Sequence, residues 1–112
     1  MFAGVLTATL RRGELEEGIR FVHELYEGTV IPFVRQAAGY RGAFTLFDRG
    51  LGTATSIVLY ETEADAHHLD PGGEQWTRLF AAIGPERRQR LESLMSEPLH
   101  RRIQEVTLRD TI

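Results

Sequence analysis

Residues 2–10 carry the β-formers Val5, Leu6, Thr7, Thr9 and Leu10 and predict a strand, which Arg12-Gly13 punctuates. Over residues 14–38 the pattern changes period. Leu15, Ile19, Val22, Tyr26, Thr29, Phe33 and Ala37 recur three or four positions apart, as one face of a helix with about 3.6 residues per turn does. Glu16, Glu17, Arg20, Glu24 and Glu27 fall elsewhere, as a solvated face should, and Glu14, Glu16 and Glu17 suit the positive end of the helix dipole. Pro32 lacks an N–H and crowds the carbonyl of Gly28, so a kink is expected there, and Gly39 should stop the helix.

Residues 43–48 and 53–61 read as two strands joined by Arg49-Gly50-Leu51-Gly52, a hairpin loop by its glycines. Thr62 is an N-cap, with Asp65 three residues on in an approximate capping box, and a second helix runs from there to Leu69. Asp70-Pro71-Gly72-Gly73 breaks that helix; Glu74–Ile83 resumes it, Gly84-Pro85 ends it, and a short helix follows over 86–95. Residues 103–109 alternate in the strand manner and should form the last strand.

The order β-α-β-β-α-β predicts one ferredoxin-like α+β domain over residues 1–112, with an antiparallel sheet, strands one and three central, and strands two and four at the edges. Phe2, Leu6 and Leu10 point to one face and Val5 to the other; Ile57 and Leu59 likewise oppose Val58 and Tyr60. Both central strands are therefore apolar on two sides, while helices in this topology cover only one. Monomers rarely leave a large apolar face open, and burying it is worth about 25 cal/mol per Å². The simplest closed solution is a two-fold homodimer with sheets face to face, a dimeric α+β barrel. The alternative is a monomer whose 84–100 segment folds over the open face.

Composition narrows the function classes. A chain of 112 residues with 42% apolar and 26% charged residues has the make-up of a globular domain that can bury its own core. With a net charge of −3, it lacks the basic surplus of a nucleic-acid binder. All its positive side chains are arginines, and the pairs Arg11-Arg12, Arg87-Arg88 and Arg101-Arg102 read as solvated ends of elements. There is no cysteine, so neither disulfides nor thiolate metal sites are available, and no metal or cofactor is expected. No apolar run approaches the roughly 20 residues of a membrane span, and the N-terminus lacks the pattern of a signal peptide, so no membrane partner and a cytoplasmic location are expected.

Four short pieces carry a family resemblance: Arg12-Gly13-Glu14-Leu15-Glu16-Glu17, Val30-Ile31-Pro32, Ala38-Gly39-Tyr40-Arg41-Gly42, and Leu59-Tyr60-Glu61-Thr62-Glu63-Ala64-Asp65. In order and spacing the chain resembles the dimeric α+β barrel superfamily, particularly its antibiotic-biosynthesis-monooxygenase-like branch. The resemblance covers most of residues 2–69 and the last strand; residues 70–98 stand outside it. It implies a ligand pocket between helices and sheet. It also implies a range of activities: cofactor-independent monooxygenases of polyketide aromatics, haem-degrading enzymes, isomerases and lyases, so fold alone carries little functional information. The haem-degrading members use an Asn, a Trp and an axial His. Here Tyr60 stands in the place of the Trp, the chain has no asparagine, and the axial position falls at the Asp70-Pro71 break, which disfavours haem degradation.

The candidate site residues are His67 and His68 as bases, and Tyr60, Trp76 and Arg78 as ligand contacts. Adjacent on a helix, the two histidines point apart and cannot chelate one metal; one of them could turn to the pocket and take a phenol or enol proton. Against this, His67 could simply pair with Glu63 and His68 pack. Tyr60 and Trp76 could stack on a planar ligand or serve only as core, and Arg78 could hold an anionic oxygen or lie at the surface. His23 should face solvent. Two functions remain. One is a small dimeric barrel that binds a small apolar or aromatic metabolite between helices and sheet, or performs an auxiliary or structural role, without chemistry of its own. The other is a cofactor-independent monooxygenase oxidising a phenolic or polycyclic aromatic substrate. A filled interior favours the first; a ring-sized cavity with a His or Tyr turned inward favours the second.

Overall fold

The computed structural model describes residues 1–107. Four strands, β1 (Phe2–Thr9), β2 (Tyr40–Asp48), β3 (Thr53–Tyr60) and β4 (His100–Glu105), form one antiparallel sheet in the order β2-β3-β1-β4. The central pair, β1 and β3, is the one whose sequence is apolar on both sides. The helices are α1 (Leu15–Leu25), α2 (Ile31–Val34), α3 (Glu63–Ala66), α4 (Glu74–Ile83) and α5 (Pro85–Leu94). This is the ferredoxin-like α+β class. Among the described residues no helix is long and apolar enough to cross a membrane.

The expected long first helix is interrupted. Between α1 and α2, residues Tyr26–Val30 widen into a π-helical turn, and the N–H of Ile31 donates to the carbonyl of Tyr26, five residues back. Pro32 follows directly, and the wider turn absorbs the ring that a regular helix would drive against the Gly28 carbonyl. The extra residue rotates everything beyond it by one position. Val30 and Val34, 7% and 0% exposed, take the buried places that unbroken periodicity assigns to Thr29 and Phe33. Helical structure ends at Val34, five residues before Gly39, which has φ +75° and leads into β2.

Other boundaries shift by smaller amounts. The second strand starts at Tyr40, three residues before the expected position, and β4 runs over His100–Glu105, three residues earlier at its start than the expected 103–109. Leu108 and Arg109 of that expectation lie outside the described residues. Thr62 caps α3 as its sequence predicts, its hydroxyl accepting from the Asp65 N–H at 3.1 Å.

The main core lies between sheet and helices. Ala8, Leu10, Ala54, Val58 and Tyr60 meet Val22, Leu25, Val30, Val34, Leu79, Ile83 and Leu91 there. The 84–100 segment stays on this side: Leu91 joins the core, Leu10 bridges to Met95, and the Arg11 and Ser96 N–H groups bond to Leu94 and Thr9 carbonyls at 2.8 and 2.9 Å. It does not fold over the opposite face. That face holds a small cluster of Ala3, Val5 and Leu59, with Met1, Ile57 and Val106 packed on it. Beside it on β2, Phe44 and Leu46 remain 46% and 54% exposed.

Candidate functional site

Between helices and sheet, the main core leaves a cavity of about 50 Å³. At roughly 10–15 Å³ for a single water, it holds a few small atoms and falls well short of a fused ring system. Its floor is the helix side of the sheet (Gly4, Leu6, Ala8, Ala54, Ser56, Val58, Tyr60 and Arg101), and its roof is Val22, Leu25, Tyr26, Val30, Val34, Leu69, Leu79 and Ile83. Trp76, Phe80, Leu91 and Leu99 complete it and also line an outer groove of about 310 Å³ with Arg88, Glu92, Met95 and Pro98. Those four side chains are thus a wall between inside and outside. The Trp76 and Phe80 rings lie 4.9 Å apart at 49°, and the Arg88 guanidinium sits 5.1 Å from the Phe80 ring centre.

Three polar features interrupt the apolar lining. Tyr60, at the end of β3, is 0% exposed and its hydroxyl is enclosed without a hydrogen-bond partner among the described residues. Burial holds its phenol above the ordinary value, partly opposed by the nearby Arg101 charge, so at neutral pH it is a donor. Tyr26, placed by the first residue of the π turn, has its phenol raised by burial too, and the Ser56 side chain counteracts this by hydrogen bonding. Arg101, whose side chain is 6% exposed, donates from Nη1 to Asp70 Oδ1 at 3.0 Å and from Nη2 to the Ala66 carbonyl at 2.8 Å.

Of the residues singled out in the sequence, Tyr60 and Trp76 line the cavity. His67, His68 and Arg78 do not. Arg78 lies on the exposed side of α4, its Nη2 2.6 Å from Glu74 Oε1 one turn back. His68 is half-buried. His67 is half-exposed and pairs through Nδ1 with Asp70 Oδ2 at 2.8 Å, not with Glu63. The reason is local: α3 ends at Ala66 and tightens into a 3₁₀ turn over His67–Leu69, where residues three apart eclipse. His67 therefore reaches the cavity wall only through Asp70 and Arg101. His23 is exposed beside Glu27.

Arg101, Tyr26, Ser56 and Gly4 were not singled out from the sequence. Arg101 shares a face of β4 with the apolar Ile103, but it stood outside the expected strand over 103–109 and read as half of a solvated pair. The usable signal was a glycine inside a central strand, because it marks a close approach. Among the described residues no group of three or more His, Asp or Glu side chains could hold a metal ion.

No family model and no curated protein matches this chain. Solved structures do. One is a dimeric ferredoxin-like protein from an uncultured marine organism, at TM-score 0.68 and 13% identity over 99% of this chain and 91% of that one. Another is the monooxygenase ActVA-Orf6 of Streptomyces coelicolor in complex with nanaomycin D, at TM-score 0.59 and 20% identity over 99% and 89%. A third is an antibiotic biosynthesis monooxygenase, at TM-score 0.58 and 14% identity over 96% and 100%. Likeness at this identity speaks for architecture alone: the chain has the ferredoxin-like α+β fold of the antibiotic biosynthesis monooxygenase structures.

Proposed function

We propose that this protein is a homodimeric α+β barrel that binds a small apolar or aromatic metabolite in the cavity between helices and sheet. The observation that carries the reading is an apolar interior space lined by Tyr60, whose buried hydroxyl has no hydrogen-bond partner among the described residues. Close packing ordinarily fills such space and pairs such groups. Tyr60 and Trp76 are the ligand contacts in this reading. The closed cavity takes a compact ligand. A larger ring needs the wall of Trp76, Phe80, Leu91 and Leu99 to swing toward the outer groove. Support for the homodimer comes from the exposed Phe44 and Leu46 on the helix-free face and from the dimeric neighbour of the same fold.

Trp76 is the single tryptophan, so its emission reports directly on the cavity wall. Titration with monocyclic aromatics should give a saturable change that Trp76→Phe abolishes. Gently purified protein should also carry a small molecule detectable by native mass spectrometry. Failure of every compound to perturb the emission, with no co-purified species, would remove this reading.

A cofactor-independent monooxygenase is the second reading, favoured by the donor phenol of Tyr60 inside an apolar enclosure and by the fold shared with the Streptomyces enzyme. In such a reaction dioxygen converts a ring CH₂ to C=O: one oxygen atom stays in the product and the other leaves as water with the two hydrogens. Tyr60 would orient the substrate oxygen, and His67 or His68 would take part only after a rearrangement that brings an imidazole inward. Oxygen uptake with anthrones and quinols tests this. Uptake no greater than the blank rejects it, and uptake unchanged in His67→Ala and His68→Ala rejects the imidazoles alone.

A further inference from the structure

One end of the cavity differs from the rest. There Gly4 of β1, Tyr60 of β3 and Arg101 of β4 meet on neighbouring strands. A Cβ on Gly4 would lie 2.9 Å from Arg101 Nη2 and 3.4 Å from Tyr60 Cε2, so only a bare backbone lets the guanidinium and the hydroxyl end of the phenol close over the strand together. Arg101 holds a buried positive charge. Its counter-charge, Asp70, is half-exposed and shares its other oxygen with His67. A guanidinium has five N–H donors, and Arg101 makes two hydrogen bonds among the described residues, to Asp70 and to the Ala66 carbonyl. Beside it the Tyr60 hydroxyl, fully enclosed, has no hydrogen-bond partner among the described residues. Buried polar groups in native proteins are nearly always satisfied, and an exception needs an explanation.

We infer that Gly4, Tyr60 and Arg101 form a subsite for a negatively charged oxygen, and that the cavity's ligand is a compact, branched apolar carboxylate. This rests on the reading of the cavity as a ligand site and adds the chemical class of the ligand. The phenol donates to the carboxylate, the guanidinium beside it compensates the charge, and the apolar end of the acid fills the space lined by Val58, Leu79 and Ile83. A neutral isostere would meet the same walls but add no charge facing Arg101, leaving the guanidinium to the half-exposed Asp70. The small volume sets an upper limit on size: even a branched acid of about six heavy atoms needs the wall of Trp76, Phe80, Leu91 and Leu99 to give way toward the outer groove.

Two kinds of probe separate the layers of the inference. Xenon reads the apolar cavity alone; 2-methylpropanoate and 2-methylpropanamide, compared at pH 7, read the subsite. Methyl resonances of Val58 and Leu79 are followed in the full chain. The expected result is that xenon and the acid both shift these methyls, and that the acid binds at least tenfold more tightly than the amide. Tyr60→Phe should weaken the acid at least tenfold and leave xenon unchanged. Arg101→Gln, checked for intact folding by its xenon response, should do the same. Equal binding of acid and amide, an acid affinity untouched by Tyr60→Phe, or an acid without effect where xenon acts would each overturn the subsite; in the last case water alone satisfies the phenol. Methyls silent to xenon as well as to both organic probes would overturn the cavity reading itself.

Discussion

On one side of the sheet Ala54, Val58 and Tyr60 meet helices and a cavity; on the other, their sequence neighbours Ile57 and Leu59 meet no helix among the described residues. Strand alternation makes the two sides, but they are finished differently. The covered side is built from large side chains on separate elements and still leaves space. The open side is thin at its centre, where Ala3, Val5 and Leu59 are already buried, and its exposed bulk lies on β2 at Phe44 and Leu46. The lesson is that apolarity on both faces of a strand does not by itself measure a docking surface. What matters is where the large side chains fall once small neighbours have closed over the middle.

Substitutions can break or sharpen this contrast. The largest effect belongs to the covered side: Leu79→Ala should lower unfolding free energy by about 3 kcal/mol, measured by urea denaturation, because a buried wall residue is lost beside existing space. On the open side, Phe44→Glu with Leu46→Glu should leave the protomer folded but raise the dissociation constant of the proposed dimer about 100-fold, or about 2.8 kcal/mol. Sedimentation reads that change, and a double variant as associated as the parent means the interface lies elsewhere. Between the two sides, Gly39→Ala should cost about 2 kcal/mol: its φ is +75°, and a Cβ would run into the Asp65 side chain. A melting temperature equal to that of the parent would show that the loop before β2 gives way freely.

The smallest effect is alkaline and belongs to the covered side alone. Burial raises the phenols of Tyr26 and Tyr60, so the unfolded chain gives up these protons first as pH rises. Their contribution is present throughout the neutral range and declines once pH passes the ordinary phenol value of about 10. Tyr26→Phe and Tyr60→Phe should each flatten that decline in urea midpoints taken between pH 8 and 11. Equal slopes in parent and variants would contradict the burial of these phenols.

Strand order, the Thr62 cap and the helix breaks at Asp70 and Gly84 were legible because each is a local signal: β-rich runs, a side-chain cap, or a glycine or proline. Tyr60 was legible as a strand-end aromatic. Arg101 was not, because a paired arginine looks the same in sequence whether solvated or buried, and what buries it is Gly4, nearly a whole chain away. Nor was the shift from Thr29 to Val30 readable: periodicity assumes a constant number of residues per turn, and Pro32 forces one turn to differ. The histidine pairing failed for the same kind of reason, since the spacing of partners depends on which helix type ends the segment.

The wide turn at Tyr26–Val30 makes the winding of one turn, more than chain length, the determinant of what the cavity displays. It is an insertion absorbed without a loop. Each α-helical residue turns the chain by about 100°, so the same residues wound as an unbroken α-helix would carry everything downstream roughly a quarter-turn away. The valines now overhead would leave, and Thr29 and Phe33 would take their places. A homologue one residue shorter at this point would need no wide turn to keep the valines, so two proteins could differ here by a single codon and still present the same ceiling to a guest.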